Sequence, residues 1–297
     1  MILFHADLDN TLIYSYKRDI GGDRIGVERY EGRTVSYMTP ESLRRLKELS
    51  RRVLFVPTTT RTAEQYERIR FGIGTPRYAL VCNGGVLICE GKEEKEWYEE
   101  SRMMAESSQT ELALAEEYLE QDADRSFEVR NVRGLFVFTK SRRPERTAAA
   151  LRDILNSSGA DVFRNGVKVY VMPKVMSKGN AVKRLKERLM RVRCVSSPWY
   201  VIAAGDSGFD LSMAAESDLF FAPDTLRDAE TCSRTEIFRP GAERIFSDYL
   251  LRRVSEIVSE RAGTAPESLK IASERQRDRE KTDERRGKYD SGGGQGK

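Results

Sequence analysis

Ile2-Leu3-Phe4-His5-Ala6-Asp7-Leu8-Asp9-Asn10-Thr11-Leu12 runs from a short apolar strand straight into two carboxylates one residue apart. Alternate residues of a strand project the same way, so Asp7 and Asp9 leave the strand end together. Carboxylates that close repel, and each raises the other's pKa. A bound cation removes that penalty. One carboxylate can then serve as nucleophile or ligand while the other handles protons.

Outward from this strand, apolar runs and amphipathic helices alternate. Thr39-Pro40-Glu41 starts a helix, with Thr39 as N-cap and Pro40 in the first helical position. Val53 to Val56 is a second buried strand, Thr62 to Arg70 is helical, and Tyr78 to Cys82 is a third strand ending at Asn83-Gly84-Gly85. This pattern indicates βαβ units and a parallel sheet. The middle reads differently. After a hairpin-like Val86 to Tyr98 come a polar helix from Arg102 to Gln121, strands at 127–130 and 135–139, a helix from Pro144 to Asn156, and strands at 161–164 and 167–172 around Asn165-Gly166. Asn-Gly between apolar runs signals a hairpin. Parallel-sheet logic resumes with a helix from Gly179 to Met190, a strand from Trp199 to Ala204, a helix from Leu211, a strand at 219–221 and a last helix from Gly241 to about Ser259.

The expected architecture is α/β: a Rossmann-like core made of residues 1–85 and 175–262, with an inserted α+β lid at 86–174. Residues 263–297 are polar and almost without apolar side chains, the composition of a disordered tail or solvated helix. The 51 basic and 47 acidic residues leave a net charge of +4, which points to no nucleic-acid or membrane partner. No apolar stretch reaches membrane-spanning length and no secretion signal opens the chain. Cys82, Cys89, Cys194 and Cys232 contain no Cys-x-x-Cys pair and read as free thiols of a cytoplasmic protein, Cys89 the most exposed. Oligomeric state is not encoded in any pattern here.

Four local signals fall where an α/β sheet places a site: Asp7 to Thr11, Pro57 to Arg61, Lys178-Gly179-Asn180 at a helix start, and Gly205-Asp206-Ser207-Gly208-Phe209-Asp210. Together they can transfer a phosphoryl group, a reaction catalysed mainly by positioning and electrostatics. Asp7, Asp206 and Asp210 offer oxygen ligands to Mg²⁺. Thr59 offers a hydroxyl to phosphoryl oxygens, with Thr58 leaving the register open by one residue. Lys178 offers a compact positive charge. Asp7 can attack phosphorus to give an aspartyl phosphate, while Asp9 protonates the leaving alcohol and then activates water.

These motifs, in this order, resemble the haloacid dehalogenase superfamily of phosphohydrolases: Asp-x-Asp-x-Thr as Asp7, Asp9 and Thr11, a strand-terminal Thr59, Lys178, and Gly-Asp-Ser-x-x-Asp as Gly205 to Asp210. The insertion between the second and third motifs resembles the C2-type cap of the Cof-like, sucrose-phosphatase-like, mannosyl-3-phosphoglycerate-phosphatase-like and phosphomannomutase members. The resemblance covers residues 1 to about 260. It implies Asp7 as nucleophile and metal ligand, Asp9 as general acid/base that binds metal through its backbone carbonyl, Thr59 and Lys178 as holders of the phosphoryl group, and Asp206 and Asp210 as the remaining metal groups. Thr11, Thr60 and Arg61 are further candidates for binding phosphate or substrate. Two residues depart from the pattern. Phe209 replaces the usual Asn before the last Asp, and Thr60 replaces the Gly of Thr-Gly-Arg.

Other readings are blander. His5 is expected to be a core residue, and Trp97, Tyr98, Trp199 and Tyr200 core or hinge packing. Arg130, Arg133, Lys140, Arg142, Arg143, Arg164 and Lys168 form a basic, solvated face of the lid, of which one or two could meet an acidic substrate. Arg61 could equally pair with a carboxylate or touch substrate. The expectation is a Mg²⁺-dependent phosphatase for a small phosphorylated metabolite, a sugar phosphate favoured. A phosphomutase of the same superfamily, or a non-catalytic binding protein on this scaffold, are the alternatives.

Overall fold

The structure, a computed structural model, describes residues 1–193, 199–241 and 243–263. Cys194 and the polar tail beyond Gly263 lie outside them. In chain order the elements are β1 (Ile2–Ala6), β2 (Tyr14–Ser15), β3 (Ile25–Tyr30), β4 (Arg33–Met38), α1 (Pro40–Leu49), β5 (Leu54–Pro57), α2 (Ala63–Tyr66), β6 (Tyr78–Val81), β7 (Val86–Cys89), β8 (Lys92–Glu93), α3 (Lys95–Ala105) and α4 (Gln109–Gln121). There follow β9 (Arg130–Asn131), β10 (Val137–Lys140), α5 (Pro144–Ile154), β11 (Ala160–Asn165), β12 (Lys168–Pro173), α6 (Lys178–Arg193), β13 (Tyr200–Ala204), α7 (Leu211–Ala215), β14 (Leu219–Pro223), β15 (Thr235–Phe238) and α8 (Phe246–Gly263). Residues up to Val254 form one compact unit, and those from Ser255 belong to a second.

A five-stranded parallel sheet in the order β15-β14-β13-β1-β5 carries the fold. Strands buried on both faces read as continuous apolar runs, which is why Leu3, Phe4, Val201, Ile202, Phe220 and Phe221 are all buried. The strand order reverses at β1: β5 lies on one side and β13 on the other. Ligands bind at the carboxyl ends of strands at such a switch point. On one face Leu3, Val201, Ala203 and Phe220 pack against Ala181, Val182, Leu185 and Leu189 of α6. Leu87 of β7 and Trp97 of α3 join this same cluster. Trp97 Nε1 also donates to Gly84 O at 2.9 Å.

The second sheet is antiparallel, in the order β11-β12-β10-β9. One of its faces has a core of its own, where Val137, Val169 and Val171 meet Leu112, Ala115 and Leu119 of α4 and Ala148 and Leu151 of α5. The β11–β12 hairpin turns at Gly166, in the left-handed region at φ 57°. Asn83, also left-handed, donates from Nδ2 to Met176 O at 2.6 Å, so the chain segments before β7 and after β12 are tied together.

Several boundaries differ from the sequence reading. The helix expected over Thr62–Arg70 stops at Tyr66, because Arg70 N donates to Val27 O on β3 and Ile69 bridges to Glu28. The expected Arg102–Gln121 helix is two helices that break around Glu106–Ser108, and the strand expected at 127–130 shortens to Arg130–Asn131. The last helix starts at Phe246 rather than Gly241. A three-stranded sheet, β2-β4-β3, had no counterpart in the sequence reading, nor did edge strand β15. Thr39 caps α1 as expected, accepting from Ser42 N at 3.0 Å. Cys82 is buried, while Cys89 and Cys232 are half-buried, and all three are free thiols. Among the described residues no helix is long and apolar enough to cross a membrane.

Candidate active site

Three adjacent strands of the parallel sheet deliver the site. Their ladders run one residue past the strand ends: Asp7 N donates to Ala204 O at 2.9 Å and Thr58 N to Ala6 O at 2.8 Å. Asp7 therefore emerges between the turn after β5 and the loop after β13. Lys178 reaches it from the first residue of α6, and two glycines permit that approach. A Cβ on Gly179 would lie 2.2 Å from Ser212 O, and one on Gly205 would lie 2.2 Å from the Asp210 side chain.

Lys178 is almost fully buried and donates from Nζ to Asp7 Oδ1 and Asp210 Oδ1, both at 2.6 Å. Burial works against its charge, but Asp210 and Asp7 outweigh it and hold the ammonium above its ordinary pKa. Asp210 is fully engaged. Its other oxygen accepts from Ser207 N at 3.0 Å, Ser207 Oγ at 2.8 Å and Asp206 N at 3.2 Å, closing the loop that presents Asp206. Asp7, Asp206 and Asp210 each offer a carboxylate oxygen, and these lie within 4.8 Å of one another. Burial, with the neighbouring acids, pushes Asp7 well up and Asp206 up to about 7. Three ionised carboxylates against one ammonium would carry an excess of two negative charges, which burial opposes. An all-oxygen donor set with that excess fits a hard divalent cation.

Asp9 points elsewhere. Arg61 grips both its oxygens, Nε to Oδ2 at 2.8 Å and Nη2 to Oδ1 at 2.7 Å. Desolvation would raise the Asp9 carboxyl, but this bidentate pair outweighs it and holds the pKa below the ordinary value. Arg61 is itself oriented by Glu28, buried on β3, at 2.9 Å from Nη1. Glu28 also accepts from Ser36 Oγ at 2.5 Å and faces Arg68 Nε at 3.3 Å. Arg61 is thus paired with two carboxylates. Glu28 escaped the sequence reading, because nothing local distinguishes a glutamate on a short strand.

Thr59 and Thr58 separate cleanly. The Thr58 hydroxyl donates to Val56 O at 3.1 Å and takes His5 Nδ1 at 2.9 Å, so it faces the core. His5 has no exposure and burial lowers its pKa to about 3, which makes it a neutral core residue. The Thr59 hydroxyl accepts from Arg61 N at 3.2 Å at the strand end, in step with the motif. Thr60 is half-buried in the same turn. Thr11 is buried, with Oγ1 3.5 Å from Asp206 Oδ1. Phe209 turns to the antiparallel sheet. Its buried ring lies 4.6 Å from Phe163 of β11 and meets Tyr170 of β12 edge-on at 5.1 Å. An aromatic contact between the Asp206–Asp210 loop and the antiparallel sheet stands where the usual asparagine would be.

A family model for sucrose-6F-phosphate phosphohydrolase matches residues 1–219. No curated protein matches the sequence. Among solved structures, the chain is similar to the sucrose-phosphatase of Synechocystis sp. PCC6803 in complex with sucrose and phosphate. The TM-score is 0.59 at 16% identity, over 86% of this chain and 97% of that one. A Thermoplasma acidophilum protein matches with TM-score 0.53 at 13% identity, over 87% of this chain and 99% of the other. At these identities the structural likeness is one of fold.

Proposed function

The chain belongs to the sucrose-6F-phosphate phosphohydrolase family of haloacid dehalogenase-type phosphatases, and from that membership we propose a Mg²⁺-dependent sugar-phosphate phosphatase that works through an aspartyl phosphate. The observation that carries the proposal is the buried Lys178 held 2.6 Å from both Asp7 and Asp210. It opposes the protonation that burial favours at Asp7 and aims the carboxylate at the position a phosphoryl group would take.

Asp7 Oδ attacks phosphorus and the bond from phosphorus to the alcohol oxygen breaks. Asp9 gives its proton to that oxygen. Water then attacks phosphorus, Asp9 takes the water's proton, phosphate departs and Asp7 is free again. Arg61 keeps Asp9 ionised in the free protein. A phosphate dianion beside the pair raises the proton affinity of Asp9 by like-charge repulsion, so the acid form arises when there is a leaving group to protonate. Thr59 and Lys178 hold the equatorial oxygens, and Thr11 and Thr60 line the turn around them. Asp7, Asp206 and the Asp9 backbone carbonyl would hold Mg²⁺, with Asp210 bracing the loop. The cation supplies neutralisation of charge on the transferred group. The antiparallel sheet with α4 and α5 acts as the cap that excludes water and selects the sugar.

The test is phosphate release from an aryl phosphate and from sugar phosphates, with Mg²⁺ and with EDTA. Turnover should require the cation and vanish in Asp7→Asn. Undiminished turnover in Asp7→Asn would refute the nucleophile, and no turnover of any ester by the wild type would refute the phosphatase.

A further inference from the structure

Lys140 of β10 and Lys168 of β12 stand directly opposite each other in the antiparallel ladder. Like charges so placed destabilise a sheet. Strand residues alternate between faces. Val137, Val169 and Val171 turn to the helices, so Phe138, Lys140, Lys168 and Tyr170 take the other face. That face is the one turned to the site, because Tyr170 touches Phe209. Both lysines are half-buried. Burial holds the Lys168 ammonium below its ordinary pKa, while the Asp9 charge pulls it up and the Lys140 and Arg61 charges push it down. Lys168 is therefore within electrostatic reach of Asp9, the proposed acid at the leaving oxygen, and Lys140 stands opposite Lys168.

Most of the other basic residues of this sheet are compensated. Arg130 pairs with Glu128, Arg133 with Glu93, Arg143 with Asp124, Arg164 with Glu145 and Lys174 with Asp161. Among the described residues neither Lys140 nor Lys168 has a carboxylate within ion-pair distance, and both oxygens of Asp9 are held by Arg61. Among the described residues the Lys140 ammonium meets the ring of Phe127, at 4.4 Å. A merely solvated lysine face would not place two half-buried lysines opposite each other on the face turned to the site.

We propose that Lys140 and Lys168 form a subsite for a second anionic group carried by the leaving alcohol, a carboxylate or a further phosphate. The inference rests on the phosphatase reading and narrows it: the substrate is a phosphate monoester whose alcohol part is itself charged. An anion there relieves the repulsion between the lysines and gains charge-assisted hydrogen bonds.

Matched substrates test this within one enzyme. The carboxylate arm compares 3-phosphoglycerate with glycerol 3-phosphate, and 6-phosphogluconate with sorbitol 6-phosphate. The phosphate arm compares fructose 1,6-bisphosphate with fructose 6-phosphate. The charged member of at least one pair should show a kcat/KM higher by about tenfold or more, equivalent to about 1.4 kcal/mol. Lys168→Met should shrink that ratio to about two or less, Lys140→Met should reduce it, and Lys168→Arg should retain it. Because the ratio is internal to each variant, partial misfolding does not mimic the effect. Brisk turnover with ratios near one in all pairs overturns the inference and leaves the phosphatase standing. A ratio that survives both methionine variants overturns it too. No turnover of any ester removes the phosphatase reading and the inference together.

Discussion

Replacing Lys178 by methionine removes a charge and little volume, so the response reads the electrostatics of the site. At an effective dielectric near 20, each 2.6 Å contact to Asp7 and Asp210 has a gross Coulomb energy of roughly 6 kcal/mol. Desolvation of the ammonium cancels much of this, and removing one partner of a buried pair costs about 3–5 kcal/mol net. Here two carboxylates lose their partner at once and still face Asp206, so the upper end of that range applies. For a unit of this size the unfolding midpoint falls by about 10–20 °C. The pH dependence has a definite sign. Asp7 is raised by burial even with the lysine present, and rises further without it. A carboxyl with a raised folded-state pKa contributes stability that is complete below its unfolded value and lost as pH rises through the folded value. The gap between variant and wild type should thus be narrow near pH 5 and widest near pH 8, and Mg²⁺ should close part of it. Urea unfolding in EDTA at both pH values, repeated with Mg²⁺, measures this. A variant as stable as the wild type at pH 8 in EDTA, or a gap that grows on acidification, would refute the reasoning.

Phe209→Ala removes a buried ring that touches both Phe163 and Tyr170, and should cost about 3–5 kcal/mol by thermal unfolding. A loss below about 1 kcal/mol would mean that the aromatic contact does not hold the loop to the antiparallel sheet. Gly179→Ala forces a Cβ to within 2.2 Å of Ser212 O, which moves the start of α6 and Lys178 with it. It should reduce phosphatase turnover more than it lowers the unfolding midpoint, and an active, fully stable variant would show that the approach of α6 to α7 can relax. Arg61→Leu leaves Asp9 desolvated without its guanidinium, so the carboxyl titrates higher. The limb of the kcat/KM–pH profile that depends on Asp9 should move to higher pH, and an unmoved profile would detach Arg61 from that ionisation.

Local chemistry made much of this molecule readable. The β1 run, Thr39-Pro40, the Asn165-Gly166 hairpin and the motif-bearing loops follow from side-chain period, caps and turn residues, all short-range effects. The family motifs carried the candidate site residues, since each lies in a loop directly after a strand or at a helix start. What was lost depended on distant partners. The helix after Thr62 is cut short by backbone bonding to β3, and β3 was itself unread although Glu31 and Gly32, both at positive φ, make a two-residue turn to β4. Glu28 acquires its role only when folding buries it against Arg61.

Asp7 and Asp9 stood out as a candidate pair in the sequence, because a strand's two-residue period puts them on one side of its end. That they part company, Asp7 to Lys178 and Asp9 to Arg61, was decided by tertiary structure alone. The cations arrive 171 and 52 residues away in the chain, and the interaction between charges falls with distance in space, not along the sequence. The same holds for Phe209 against Phe163 and Tyr170, and for Lys140 against Lys168: residue identity states what each can do, and the fold determines to what.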